Sequence, residues 1–383
     1  MLNFLEINYF NDIINLRIYV INIVLLTGGC MKIKVAVLDN DQVYLDRFVT
    51  AFSAKFADKV ELYSFTDQQI ALDSLANNRI DIFIASEIFD IDNSQIPAKC
   101  VFAYFVDNTG IDSYNNQSAI CKYQKADLIY KQFLSLYSEK AGGISSLKLD
   151  DDSSKIIVFS SPCGGVGTST VAAACAKHFS DSGYSVLYLN LEPFGAADCF
   201  FSGDGQYDMS EVIYALKSKK TNLSMKLESC VRKDVCGVSF FTPTAIPLNM
   251  LEMTNDDIIR LIEELKLTGS YNYIIVDTDF GLDKNHQKIY KLAHRVVWVS
   301  DGEDIANTKL IRAYQALMLL DQTKNLELID DIVLMYNGFS SKSGKYVEGI
   351  DVKVIGGTQV FVHNNARQVV DQISGMGMFD NII

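Results

Sequence analysis

The sequence's plainest chemistry lies in one run of residues: Ser161-Pro162-Cys163-Gly164-Gly165-Val166-Gly167-Thr168-Ser169-Thr170. A buried-type strand, Lys155–Ser160 (KIIVFS), precedes it. An Ala-rich stretch with helical propensity, Val171–Ser180, follows, and Gly183 sits where a C-cap would fall. Strand, glycine-rich turn and helix N-terminus, in that order, aim backbone N–H groups at a phosphate. The glycines supply unusual dihedrals and let phosphate oxygens approach the backbone. Residues 163–170 are therefore the candidate phosphate cradle. Against the G-x-x-x-x-G-K-[ST] pattern, Pro162 stands where the first Gly belongs and Thr168 replaces the Lys, while Ser169 keeps the hydroxyl that ligates Mg²⁺. The competing reading is a loop that only joins a strand to a helix.

Such a loop works only if a sheet holds it. Strands are expected at Ile33–Leu38, Val60–Phe65, Ile80–Ala85, Val101–Val106 and Ala119–Lys122, alternating with helices at Tyr44–Phe56, Gln68–Asn77 and Ala126–Tyr137. After the glycine-rich loop, apolar runs at Ser185–Leu189, Tyr273–Val276, Arg295–Ser300 and Ile332–Tyr336 read as further buried strands, with Trp298 as packing. Alternation of this kind predicts parallel sheets with helices on both faces, and ligands beyond the C-terminal strand ends. A Gly/Ser-rich, acidic stretch, 141–154, reads as a linker between a domain at 31–140 and a second at 155–383. The fold class is α/β throughout.

Residues 1–30 fit neither domain. Their longest apolar stretch, Ile13–Leu26, is broken by Asn15, Arg17 and Asn22, short of the ~20 residues that a spanning helix needs. A basic start and a cleavage-site pattern are both missing. Met31 runs straight into a strand, so 1–30 is expected to be a non-native N-terminal extension, with an interfacial helix as the alternative.

Charge narrows the partners. The chain of 383 residues carries −13, with 29 acidic against 21 basic residues over 151–383. That balance disfavours nucleic acid and anionic lipid, which reward exposed Lys and Arg. The stretch Val354–Ile383 holds one basic residue, Arg367, and lacks the positive face of a membrane-anchoring helix. The eight cysteines are scattered without a C-x-x-C pair, as expected of reduced, buried thiols in a cytosolic protein.

Residues 31–140 resemble the receiver domains of two-component signalling, a flavodoxin-like fold. The resemblance puts the acidic pair at Asp39-Asn40, the phosphoacceptor position at Ser86 and the lysine after the last strand at Lys122. Ser86 cannot form an acyl-phosphate, and Asn40 weakens Mg²⁺ binding because Mg²⁺ prefers anionic oxygens. Lys122 then reads as a leftover or as an ordinary surface lysine. This degenerate site implies a docking module.

The glycine-rich loop most resembles the deviant Walker A motif of the ParA/MinD family, K-G-G-x-G-K-[ST], a doubly wound P-loop fold. Cys163 and Thr168 hold its two lysine positions. The resemblance implies ATP and Mg as cofactors, with Asp277 (in DTDFG) ordering Mg²⁺ through water, although a turn or N-cap role also explains a strand-end Asp. It makes Glu192, in Asn190-Leu191-Glu192, the residue that orients the attacking water, one methylene longer than the usual Asp. It sets Asn337 at the adenine edge and Phe361–Arg367 at the adenine-side loop.

Receiver-like and degenerate ParA/MinD-like domains in one chain resemble the TadZ/CpaE family of Tad (Flp) pilus assembly, over about residues 31–383. The resemblance implies a dimeric, ATP-binding scaffold or localisation factor with weak or absent hydrolysis. Its partners would be a second copy and pilus or secretion machinery proteins, with no nucleic acid and no direct membrane anchor. Its place would be the cytoplasm, recruited to a pole or a membrane-associated complex through protein contacts. A slow ATPase whose cycle drives positioning and a nucleotide-free regulatory module are the alternatives.

Overall fold

The computed structural model describes residues 32–140, 154–218, 222–324, 327–362 and 364–382. The expected extension at 1–30 and nearly all of the expected linker lie outside these residues. The chain divides into two compact units, Met1–Ile129 and Tyr130–Ile383.

The first unit is built on β1 (Ile33–Leu38), α1 (Gln42–Phe56), β2 (Val60–Phe65), α2 (Gln68–Asn77), β3 (Ile82–Ser86), β4 (Val101–Val106), β5 (Ser113–Tyr114) and β6 (Gln117–Cys121). Its sheet runs β2-β1-β3-β4-β6-β5, parallel except for the β5–β6 hairpin. This is the flavodoxin-like, receiver-like order that the sequence predicts. α1 forms because Phe48, Phe52 and Phe56 recur at helical spacing and all three are buried, while Asp41 caps its start.

The regular alternation fails in two places. Between β3 and β4 the described chain makes only a short 3₁₀ turn, Asn93–Gln95, because Asp90, Asp92, Asn93 and Pro97 are turn formers. Between β4 and β6 it makes a hairpin instead of a helix. Asn115 and Asn116 hold positive φ (48° and 60°) between the paired Tyr114 and Gln117, a two-residue loop of the kind that asparagine tolerates best.

α3 (Ala126–Lys140) starts in the first unit, and its residues from Tyr130 onward count with the second. There Ser135 accepts a hydrogen bond from the buried Lys226, which also pairs with Glu211 at 2.9 Å. The second unit continues with β7 (Lys155–Ser160), α4 (Thr168–Asp181), β8 (Val186–Asn190), α5 (Ala197–Phe200), α6 (Met209–Lys217), α7 (Leu223–Cys230), β9 (Arg232–Lys233) and β10 (Ser239–Phe240). It closes with α8 (Asn255–Leu267), β11 (Tyr273–Asp277), α9 (Lys284–Leu292), β12 (Arg295–Ser300), α10 (Asp304–Lys324), β13 (Ile332–Tyr336), β14 (Lys353–Gly357) and α11 (Ala366–Ser374).

The sheet order β14-β13-β12-β7-β11-β8-β10-β9 puts β7 between β11 and β12, parallel to both. Two apolar layers sandwich it. One contains Trp298, Ile274 and Leu310; the other contains Val171, Cys175, Phe179 and Met335. The C-terminal segment adds Val370, Ile373, Phe379 and Ile382 to the second layer, so these apolar residues are spent on the core. No described helix is long and apolar enough to cross a membrane.

Candidate functional site

The loop after β7 is anchored at its start and sprung at its end. Ser161 Oγ donates to the Val299 carbonyl at 2.6 Å and accepts from the Cys163 N–H at 3.0 Å. Gly165 and Gly167 take φ of +81° and +80°, in the left-handed region. Gly167 then caps α4, which begins three residues earlier than the apolar pattern suggested. Thr168, Ser169 and Thr170 are its first residues, and their N–H groups lack intrahelical partners at a positive dipole end. Gly164 and Gly165 are exposed.

Asn337 braces this loop. Its Nδ2 donates to the Val166 carbonyl at 2.8 Å, and its Oδ1 accepts from Thr358 Oγ1 at 2.7 Å. A Cβ at residue 167 would lie 2.4 Å from that same Nδ2, so the close approach requires glycine. The asparagine expected at an adenine edge thus also spends its amide on holding the P-loop in place. Phe361 packs against the core, and residue 363 in the expected adenine-side loop lies outside the described residues.

Register brings the acidic residues together. Asp277 at the end of β11 pairs with Asn190 at the end of β8, two residues before Glu192. Asp277 is fully buried. Its Oδ2 accepts from Tyr188 Oη and from Asn190 Nδ2, both at 2.7 Å, whereas its Oδ1 has no partner. Ser169 Oγ donates to Glu192 Oε2 at 3.3 Å. Burial and the Glu192 charge push the Asp277 carboxyl up to about 7, against the opposing hydrogen bonds from Tyr188 and Asn190 and the nearby Ser169 hydroxyl, which itself donates to Glu192.

Mg²⁺ with a nucleotide fits this geometry in part. An orphaned, buried carboxylate oxygen beside a serine hydroxyl is what a hydrated divalent cation would satisfy. No described cluster of three or more His, Cys, Asp or Glu residues could hold a metal by itself, so phosphate oxygens and water would complete the shell. The amides of 164–170 suit phosphates. Cys163 and Thr168 bring no positive charge to them.

The first unit's strand ends behave differently. Asp39 is fully buried; its Oδ1 accepts from the Asp41 N–H at 2.9 Å, and its Oδ2 lies 3.3 Å from Lys122 Nζ. Lys122 also pairs with Asp107 at 2.9 Å and sits over the Tyr44 and Tyr123 rings at 5.5 and 5.3 Å. Burial works against its charge, but the Asp107 hydrogen bond and the Asp39 charge prevail and raise its pKa. The expectation of a surface lysine is therefore corrected. Lys122 is buried because it supplies the cation that a buried Asp39 requires. Ser86 is buried at the end of β3, and Asn40 is exposed. With Asp39 satisfied from within, these residues do not fit Mg²⁺, and no chemistry runs through one here.

Sequence reasoning passed over Tyr188 and the role of Asn190 against Asp277. Tyr188 reads as one more apolar position in a buried strand, without a signal of its own. Asn190 was visible as a polar residue at a strand end.

Fold and site define a class: a receiver-like domain with a closed acidic pocket, joined to a P-loop domain of deviant type. A model described as "TadZ-like, receiver domain" matches residues 31–138, and one described as "AAA domain" matches 154–329. Residues 31–138 are thus similar to a TadZ-like receiver domain and residues 154–329 to an AAA domain. Similar solved structures include a ParA family ATPase from Chlorobium tepidum TLS (19% identity, 60% of this chain and 96% of that one, TM-score 0.46). They also include the MinC:MinD cell division complex of Aquifex aeolicus (17%, 60% and 94%, 0.45) and Mg-ADP-bound MinD of Pyrococcus horikoshii OT3 (16%, 60% and 94%, 0.42). No curated protein matches the chain.

Proposed function

We propose that the chain is a dimeric, Mg-ATP-binding scaffold or localisation factor for Tad-type pilus assembly and secretion machinery, with weak or absent hydrolysis. One observation carries the reading. The Mg-side oxygens (Ser169 Oγ, Glu192 and the unpartnered Asp277 Oδ1) are assembled at the start of α4, while the phosphate-side cations are missing at 163 and 168. Binding can rest on amides and a metal; phosphoryl transfer depends on neutralising charge that builds up in the transition state. Bound Mg-ATP would supply the phosphates and the divalent charge that the pocket lacks. The TadZ-like match over 31–138 supports the pilus assignment, and the acidic second unit favours protein partners.

The test is Mg-ATP calorimetry run beside phosphate release on the full chain. Binding without turnover is the expected result. Turnover abolished by Glu192→Gln would favour the slow-ATPase reading, which the 3.3 Å Ser169–Glu192 contact supports. No affinity for ATP would overturn both.

A further inference from the structure

The strand-entry end of the first unit carries a row of cations. Lys59 precedes β2, Lys32 β1, Arg79 β3 and Lys99 β4, and the sheet sets these strands side by side in that order. Backbone bonds fix the alignment. Ile33 N–H donates to the Lys59 carbonyl at 2.9 Å, Asp81 N–H to the Lys34 carbonyl at 2.9 Å, and Val101 N–H to the Asp81 carbonyl at 2.8 Å. With neighbouring strands about 4.8 Å apart, the four entries span about 14 Å. Lys32, Arg79 and Lys99 are exposed, and no described carboxylate pairs with them.

Cations at this end also have ordinary uses. Lys34 Nζ donates to the Asn78 carbonyl at 3.3 Å, at the negative end of α2, and Lys55 in the last turn of α1 pairs with Asp127. The row is different. Lys99 follows a turn instead of an α-helix. Arg79 holds a φ of +53°, in the left-handed region that strains a residue with a Cβ. The other described non-glycine residues of this unit that hold positive φ are Asn115 and Asn116. Asparagine or glycine would serve the backbone at 79 with less strain, so the guanidinium is the reason for arginine there.

Charge and size select the occupant. Of the acids at this end, Glu61 accepts from Tyr63 Oη at 2.6 Å and Asp81 from the Lys34 N–H at 2.9 Å, which leaves Asp58. The strand-exit end has the opposite sign, with Asp41, Asp67, Asp92 and Asp107 exposed. A membrane plane or a nucleic-acid duplex extends far beyond the row, past the Debye length of about 10 Å, and meets the acidic remainder of the unit. A short acidic segment covers the row alone. A second copy fits poorly, because its Asp41, Asp67 and Asp92 already accept backbone N–H groups as helix caps.

We infer that this row docks an extended, Asp/Glu-rich segment of a partner protein, laid across the entries of β2, β1, β3 and β4. The surface lies at the opposite end of the sheet from the closed Asp39–Lys122 site and does not depend on the nucleotide reading. It gives the docking module expected from the sequence a face and a partner chemistry.

The probe is a fluorescein-labelled peptide of alternating Asp and Ser, titrated into the full chain beside an Asn/Ser counterpart. The Asp/Ser peptide should saturate and weaken as salt is raised, and the Asn/Ser peptide should not bind. Arg79→Gly combined with Lys99→Gln should weaken the Asp/Ser peptide at least about fivefold. Lys284→Gln combined with Lys291→Gln removes two positive charges from the exposed face of α9 in the second unit, and should leave binding within about twofold. Arg79→Gly alone should weaken binding without lowering the thermal midpoint, because glycine takes that φ without strain.

No saturation by the Asp/Ser peptide would overturn the inference, and so would binding kept in the Arg79→Gly/Lys99→Gln variant. Equal weakening in the two double variants would overturn it as attraction by net charge. Tighter capture of phosphatidylglycerol vesicles or of an oligonucleotide than of the peptide, lost in the Arg79→Gly/Lys99→Gln variant, would give the row to lipid or nucleic acid instead. A sedimentation mass that rises with concentration in the wild type and not in that variant would make the row a contact between copies and overturn the partner segment.

Discussion

Asp39 and Asp277 stand at corresponding places, each fully buried at the end of a central strand of a parallel sheet. The first unit answers its carboxylate from within: one oxygen takes a backbone N–H and the other faces Lys122, itself tied to Asp107. The second unit leaves one Asp277 oxygen unpartnered and sets Glu192 nearby, so the charge is resisted and the pKa climbs to about 7. Burying a charge costs free energy unless it is paired. One unit has met that cost with its own cation and closed the site. The other keeps a deficit that an outside cation can fill.

Breaking the closed site should have the largest effect. Lys122→Met strands Asp39, and loss of one partner of a buried pair costs about 3–5 kcal/mol. Urea unfolding of the full chain should show the transition of the first unit moving by about that much, and adding Asp39→Asn should recover most of it.

The open site should reveal itself through pH. Because Asp277 has a folded-state pKa above the ordinary carboxylate value, the folded chain keeps a proton between about pH 4 and pH 7 that the unfolded chain has released. Its contribution is therefore full at low pH and is lost as pH rises through about 7, by up to about 4 kcal/mol. Thermal scans from pH 5 to pH 8 should show Asp277→Asn removing this part of the slope, and Mg-ATP should counteract it in the wild type.

Asn337→Ala removes the P-loop brace and leaves the Val166 carbonyl short of a donor, for about 1–3 kcal/mol. Hydrogen exchange at 164–168 should rise with it. Smallest is Tyr188→Phe, which deletes one hydrogen bond to Asp277 for about 1 kcal/mol. That bond favours the ionised form, so the pH midpoint should move further up.

Legibility in the sequence followed burial. The strands at Ile33–Leu38, Val101–Val106, Lys155–Ser160, Arg295–Ser300 and Ile332–Tyr336 read straight from the residues, because interior parallel strands are near-continuous apolar runs. The hairpin at 113–121 was missed, since a two-residue strand carries no period and its signal is only Asn115-Asn116. The stretch 193–252, with its short helices, was not assigned, because four- to nine-residue elements give too few turns for a pattern. In the site, the glycine-rich loop pattern pointed to Ser169, and the family resemblance pointed to Glu192 and Asp277. What each carboxylate faces is tertiary: nothing near Lys122 in the chain shows that it meets a residue 83 positions earlier.

We propose that the P-loop site is open to a metal and its nucleotide while the receiver site is closed. Titration of a fluorescent ATP analogue into the full chain, with and without Mg²⁺, tests it most directly, with Asp277→Asn and Lys122→Met as comparators. Saturable binding of one analogue per chain is expected, requiring Mg²⁺, weakened at least about tenfold in Asp277→Asn and unchanged in Lys122→Met. Binding indifferent to both Mg²⁺ and Asp277→Asn, or no binding at all, would contradict it.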